Sequence, residues 1–153
     1  MRRVTLPALA AGILLAAHLP TAGQQNPFAS GTERFYKGGS AVVKVTGSIE
    51  IDEEIPLTTT PSYTADDGQT WIVYGDETSG EPFVIFTYNE YGYGITIGRD
   101  ARTATAEFEM CEGDVEVTAT TVVGDYTCPE VESMDRDFVA LKVSIRIHFT
   151  AES

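Results

Sequence analysis

The sequence predicts an all-β chain folded as one antiparallel β-sandwich of about seven to eight strands, joined mostly as a meander. Three observations carry that reading. Apolar and polar residues alternate with period two in several segments, as half-buried strands require. No amphipathic helix of useful length appears beyond residue 23. Short turns rich in Gly, Asp and Asn separate the alternating segments. Seven strands favour two packed sheets; an eighth near Tyr126 to Val131 restores the alternative, an eight-stranded up-and-down barrel. An immunoglobulin pattern does not fit, because Trp71 precedes both cysteines.

In chain order, Met1 to Gly23 reads as a signal peptide. Arg2 and Arg3 precede an uncharged apolar run from Val4 to Leu19, and Pro20, Thr21, Ala22 and Gly23 form a small-residue exit. The run is shorter than the roughly 20 residues a membrane helix needs, so cleavage before Gln24 is expected rather than anchoring. Residues 24–40, broken by Pro27, Gly31, Gly38 and Gly39, read as an extended lead-in to a β-domain over 41–153. Val43, Val45, Ile49 and Ile51 share one parity, predicting a strand with a bulge or close contact at Gly47.

Asp52 to Gly68 reads as a loop closed by the Asp66-Asp67-Gly68 turn. Strands follow at Trp71 to Tyr74, Phe83 to Tyr88, Tyr93 to Ile97 and Ala104 to Cys111, with Ala106, Phe108 and Met110 on one face of the last. Glu112-Gly113-Asp114 then reads as the tight turn of a hairpin into Val115, Val117 and Ala119. Gly124 to Asp137 looks irregular. The final strand places Val139, Leu141, Val143, Ile145, Ile147 and Phe149 inward, and its length predicts a central position.

Charge narrows the classes of function. Removing Arg2 and Arg3 from the 10 Lys and Arg leaves 8 against 23 acidic residues, a net charge of −15. Such a surface repels nucleic acid and anionic membranes, and no membrane span is expected after cleavage. About 130 residues suffice for one core. Cys111 and Cys128 read as a disulfide of an oxidising compartment, and closing that loop stabilises by roughly 3 kcal/mol in the chain-entropy account. The expected location is secreted or periplasmic.

Catalytic motifs are sparse. His148 is the sole histidine after residue 23, and Ser144 lies four positions away, about 13 Å along a strand, too far for a nucleophile and base pair. Glu107 and Glu109 share a strand face at a separation that carboxylate-dependent hydrolysis would accept, but a solvated sheet face looks the same. Glu132, Asp135 and Asp137 fall within six residues and form the candidate calcium site, with Asp66, Asp67, Asp76 and Glu77 as further oxygen donors. No other cofactor is expected.

Tyr88-Asn89-Glu90-Tyr91-Gly92-Tyr93-Gly94 is the most unusual local composition. A turn displaying tyrosines can stack on a carbohydrate or a protein partner; alternatively Tyr88 and Tyr93 pair across strands and only Tyr91 shows. These residues support a non-catalytic exported β-domain that binds or builds in the periplasm, cell surface or medium. A barrel carrying a small apolar ligand, lined by Trp71, Phe83, Phe86 and Tyr93, is the second expectation. A small carboxylate-dependent hydrolase is the third.

Overall fold

The computed structural model describes residues 27–28, 31, 33–58, 60–135 and 137–153; the expected signal peptide and the start at Gln24 lie outside them. Among the described residues, eleven strands run in chain order: β1 (Arg34–Tyr36), β2 (Ser40–Gly47), β3 (Ile51–Pro56), β4 (Ser62–Thr64), β5 (Thr70–Tyr74), β6 (Phe83–Asn89), β7 (Gly92–Arg99), β8 (Arg102–Glu107), β9 (Glu112–Val117), β10 (Thr121–Met134) and β11 (Ala140–Glu152). One sheet has the order β1-β4-β5-β6-β7-β8 and the other β3-β2-β11-β10-β9, with antiparallel pairing throughout. The chain changes sheet after β1, β3 and β8, so two open sheets pack face to face. The barrel alternative is therefore wrong, and the sandwich is the fold.

The period-two pattern builds the interior as expected. Val43 and Val45 of β2, Val84 and Phe86 of β6, Ile95 and Ile97 of β7, and the odd-numbered positions from Leu141 to Phe149 of β11 all face one core. β11 is central in its sheet, as its length implies. Val139 departs from the expectation: it precedes the strand and is exposed.

Five local expectations are corrected. Residues 41–51 are two strands, not one, because Gly47 turns the chain: its φ is +114°, and a Cβ there would run into the Lys142 carbonyl oxygen. Val45 and Ile51 are thus register partners. The loop drawn over 52–68 contains most of β3 and all of β4, and the lead-in over 24–40 contains β1 and the buried side chain of Phe28. The three-residue lengths of β1 and β4 and the acidic content of β3 hid these strands.

The expected hairpin between 104–111 and 115–119 does not form. β8 ends at Glu107, one 3-10 turn over Phe108–Met110 redirects the chain, and β9 pairs with β10 in the other sheet. Val115 and Val117 pair with Gly124 and Val122, not with the preceding strand, while Met110 is exposed.

Residues 124–137 are largely strand, not irregular. β10 keeps its inward parity through Val122, Gly124, Tyr126 and Cys128, shifts register between Cys128 and Val131, and recovers at Val131. Pro129 sits in that shift, where the missing N–H removes no regular ladder bond.

Several polar contacts lock the sheets together. Arg99 pairs with Glu53 and donates to the Glu50 carbonyl at 2.9 Å, Arg102 donates to the Ser48 carbonyl at 3.1 Å, and the Tyr74 hydroxyl donates to the Thr150 carbonyl at 2.9 Å. Cys111, between the 3-10 turn and β9, is disulfide-bonded to Cys128 on β10, with 4.1 Å between their Cα atoms.

Candidate functional site

The outer face of the six-stranded sheet carries the most organised surface of the domain. Strand alternation sends Tyr36, Ser62, Thr64, Ile72 and Tyr74 inward, which turns Phe35, Tyr63 and Trp71 outward. Pairing then aligns them: Phe35 is the register partner of Tyr63, and Tyr63 of Trp71. Their exposures are 52, 37 and 41 %, and the Phe35 and Tyr63 ring centroids lie 6.5 Å apart. The row continues by register through Thr87 and Gly94 to Glu107.

Beside this row runs a second, made by Val73, Ile85, Thr96 and Thr105, in which the two threonine hydroxyls are 3.1 Å apart. Val73, Ile85 and Phe83 form a small apolar cluster apart from the main core. Phe83 lies over Gly98, where any Cβ would meet its ring. An open hollow of about 750 Å³ borders the same face, lined by Phe83, Thr96, Thr103 and Thr105 and, among its acidic residues, by Asp100 and Asp135.

The tyrosine turn behaves as a packed hairpin with one exposed ring. Tyr88 and Tyr93 are register partners on β6 and β7, and both pack against the core. Tyr88 lies 5.0 Å from Phe28, and Tyr93 lies 4.4 Å from Tyr126 and donates to the Cys111 carbonyl at 3.4 Å. Tyr91 is 80 % exposed, and its N–H donates to the Asn89 side chain at 2.8 Å. The three tyrosines therefore do not share one binding surface.

The carboxylates proposed for calcium are engaged separately. Glu132 accepts from Lys142 at 2.7 Å, which holds its carboxyl below the usual glutamate range. Asp135 accepts the backbone N–H groups of Asp137 and Val139 at 3.0 and 2.8 Å, closing the β10–β11 turn. Asp76 is likewise used by Thr78, and Asp67 by Gln69. Among the described residues, no three His, Cys, Asp or Glu side chains gather to hold a metal ion.

His148 Nδ1 lies 2.9 Å from Asp125 on the exposed face of the five-stranded sheet, and the Ser144 hydroxyl is donated to the Pro129 carbonyl. Glu107 ends β8 and Glu109 sits in the 3-10 turn, so they do not share a strand face. The residues assigned to a carrier's lining are also split: Phe86 is in the core, Phe83 and Trp71 lie on the outer face, and Tyr93 packs against the core at the hairpin.

No protein-family model, curated protein or solved structure matches the chain. The aromatic row was missed in sequence because β1 and β4 are three-residue strands. The signal present in the sequence is alternation: Phe35 on β1, Tyr63 on β4 and Trp71 on β5 each stand between residues of opposite facing.

Titration supplies a test of how tightly the tyrosines are packed. Burial, reinforced by Tyr36, pushes the Tyr74 hydroxyl far above its ordinary 10.0, and burial, then Tyr93, Asp114 and Tyr88, does the same for Tyr126. The folded state holds protons that the unfolded chain releases above about pH 10, so this stability is full below that pH and is lost as pH rises. Urea midpoints should stay level to about pH 9 and fall beyond about pH 10, less steeply in Tyr126→Phe. An equal slope in wild type and Tyr126→Phe contradicts the assignment to Tyr126.

Proposed function

We propose that this chain is an exported, non-catalytic binding domain that engages its partner on the outer face of the six-stranded sheet. The observation that carries this reading is the row of Phe35, Tyr63 and Trp71, three half-exposed rings held in register by three neighbouring strands. Rings on rigid strands offer large contact area at low entropic cost, and exposed apolar patches of this kind mark interaction surfaces.

Two further features support it. The disulfide suits a non-reducing compartment, consistent with export through the segment 1–23. Among the described residues three of the four sheet edges are poor templates for strand addition: β1 has three residues, β3 carries Asp52, Glu53, Glu54 and Pro56, and β9 carries Glu112, Asp114 and Glu116, which leaves β8 as the one edge without such protection. That favours binding over assembly into a fibre.

Trp71 is the chain's one tryptophan, which makes the face its own reporter. Neutral and anionic oligosaccharides, an unstructured peptide and a fatty acid are titrated singly into the purified chain by calorimetry. A member that binds is expected to protect Trp71 emission from acrylamide and to lose at least about tenfold in affinity in Tyr63→Ala, the loss of one well-packed aromatic contact. Binding that leaves Trp71 as accessible as before, or no binding by any member, overturns the proposal.

A further inference from the structure

Resting on that reading of the face, we infer that its ligand is a neutral, extended glycan chain of β-linked sugars lying across the strands. Neighbouring strands stand about 4.8 Å apart. That spacing is close to the advance per sugar ring in an extended chain, and on these strands the Phe35 and Tyr63 ring centroids lie 6.5 Å apart with their planes tilted by 44°, so the row offers successive sugars a series of separate aromatic contacts. Pyranose rings present a face of C–H bonds that packs on an aromatic face, while their hydroxyls point sideways.

The rest of the row supplies what those hydroxyls need. Thr87 follows Trp71, and Gly94 follows Thr87 with no side chain on the outer face. A Cβ at Gly94 would stand 3.0 Å from the Thr87 hydroxyl, so its absence leaves a low floor beside that group. Glu107 closes the row with carboxylate acceptors, and Thr96 and Thr105 line its flank. An apolar strip edged by hydroxyls and ended by a carboxylate matches a sugar chain better than an apolar pocket of a protein.

Size and charge narrow the occupant further. Large aromatic side chains bury 150–250 Å² each, so the exposed parts of the three rings sum to on the order of 300 Å². A stable protein interface takes about 800 Å² per partner, which a second copy of this chain would not obtain from the row. The net charge of −13 disfavours uronates and sulfated glycans.

The test uses the purified chain with cellohexaose, chitohexaose and polygalacturonate as probes. At least one neutral hexasaccharide should bind, shift Trp71 emission to the blue, and bind more tightly than its disaccharide. Tyr63→Ala and Phe35→Ala should each weaken it about tenfold or more, whereas Tyr91→Ala should leave it unchanged. Trp71→Phe should retain binding that Trp71→Ala loses, with far-UV circular dichroism confirming that each variant folds.

Failure of both neutral probes, preference for polygalacturonate, or concentration-dependent dimerisation that shields Trp71 without sugar overturns the glycan assignment. If the peptide or fatty acid shields Trp71 while the glycans do not, the binding face survives and the glycan falls. If a glycan binds without touching Trp71, both readings fall.

Discussion

Replacing Phe149 with alanine is expected to destabilise the domain by about 3–5 kcal/mol, the range for truncating a buried aromatic side chain. The ring is fully buried at the centre of an aromatic cluster that joins the sheets: 4.7 Å from Phe86, 6.1 Å from Tyr74 and 6.3 Å from Tyr126, centroid to centroid. Its register partner is Gly124, and the ring occupies the space where a Cβ on that glycine would be. Truncation therefore empties a space lined by rings that cannot easily collapse, because each is held by its own strand. The reverse change should hurt for the opposite reason: Gly124→Ala forces the Phe149 ring aside and should cost about 1–3 kcal/mol by overpacking. Urea unfolding should show both as lower midpoints at an unchanged slope. A Phe149→Ala cost below about 1 kcal/mol would mean that the cluster is not the joint between the sheets.

The second large effect is expected from Cys111→Ser combined with Cys128→Ser. The bridge closes a loop between residues 17 apart, for which chain entropy predicts a loss of roughly 3 kcal/mol on removal. Its position adds a native-state reason. Cys111 lies where the chain leaves one sheet for the other, and Cys128 is fully buried on β10 just before its register shift. For a domain of this size a loss of that order lowers the melting temperature by on the order of 10 °C, readable by circular dichroism with and without reductant. The aromatic row lies toward the β1 edge of its sheet, whereas the crossing follows β8 at the other edge. Of the row only Glu107 adjoins the crossing, so sugar affinity below the melting point should fall less than in Tyr63→Ala. A melting temperature insensitive to reductant would show that the crossing is held by packing alone.

Long strands that alternate strictly were legible because burial on one face imposes period two. The inward positions of β11 from Leu141 to Phe149 and of β2 at Val43 and Val45 are read correctly for that reason, and the cysteine pair follows from count and compartment. β10 was not legible, although it is the longest strand, because Gly124 and Pro129 carry the signals of turns. Gly124 is a strand residue only because Phe149 fills its side-chain space, and Pro129 is tolerated only because the ladder slips there. Neither fact exists until β11 lies alongside. The 104–119 hairpin failed similarly: two alternating segments around a Gly look alike whether they pair with each other or with later strands.

The candidate site divides in the same way. Tyr88 and Tyr93 are correctly read as cross-strand neighbours, since a separation of five residues about a turn makes pairing local. Glu132, Asp135 and Asp137 are near in sequence, but Lys142 and the turn backbone claim the first two. Phe35, Tyr63 and Trp71 span 36 residues of chain and meet only through strand order.

By itself, the sequence determined the class of the fold, the acidic balance and the disulfide, because composition and period-two burial are local properties of the chain. Only the tertiary structure decided that the strands make two open sheets, that β10 is continuous, and that three distant aromatics form one row. Pairing between segments far apart in sequence sets all three, and a one-residue change of register would turn each ring to the opposite face.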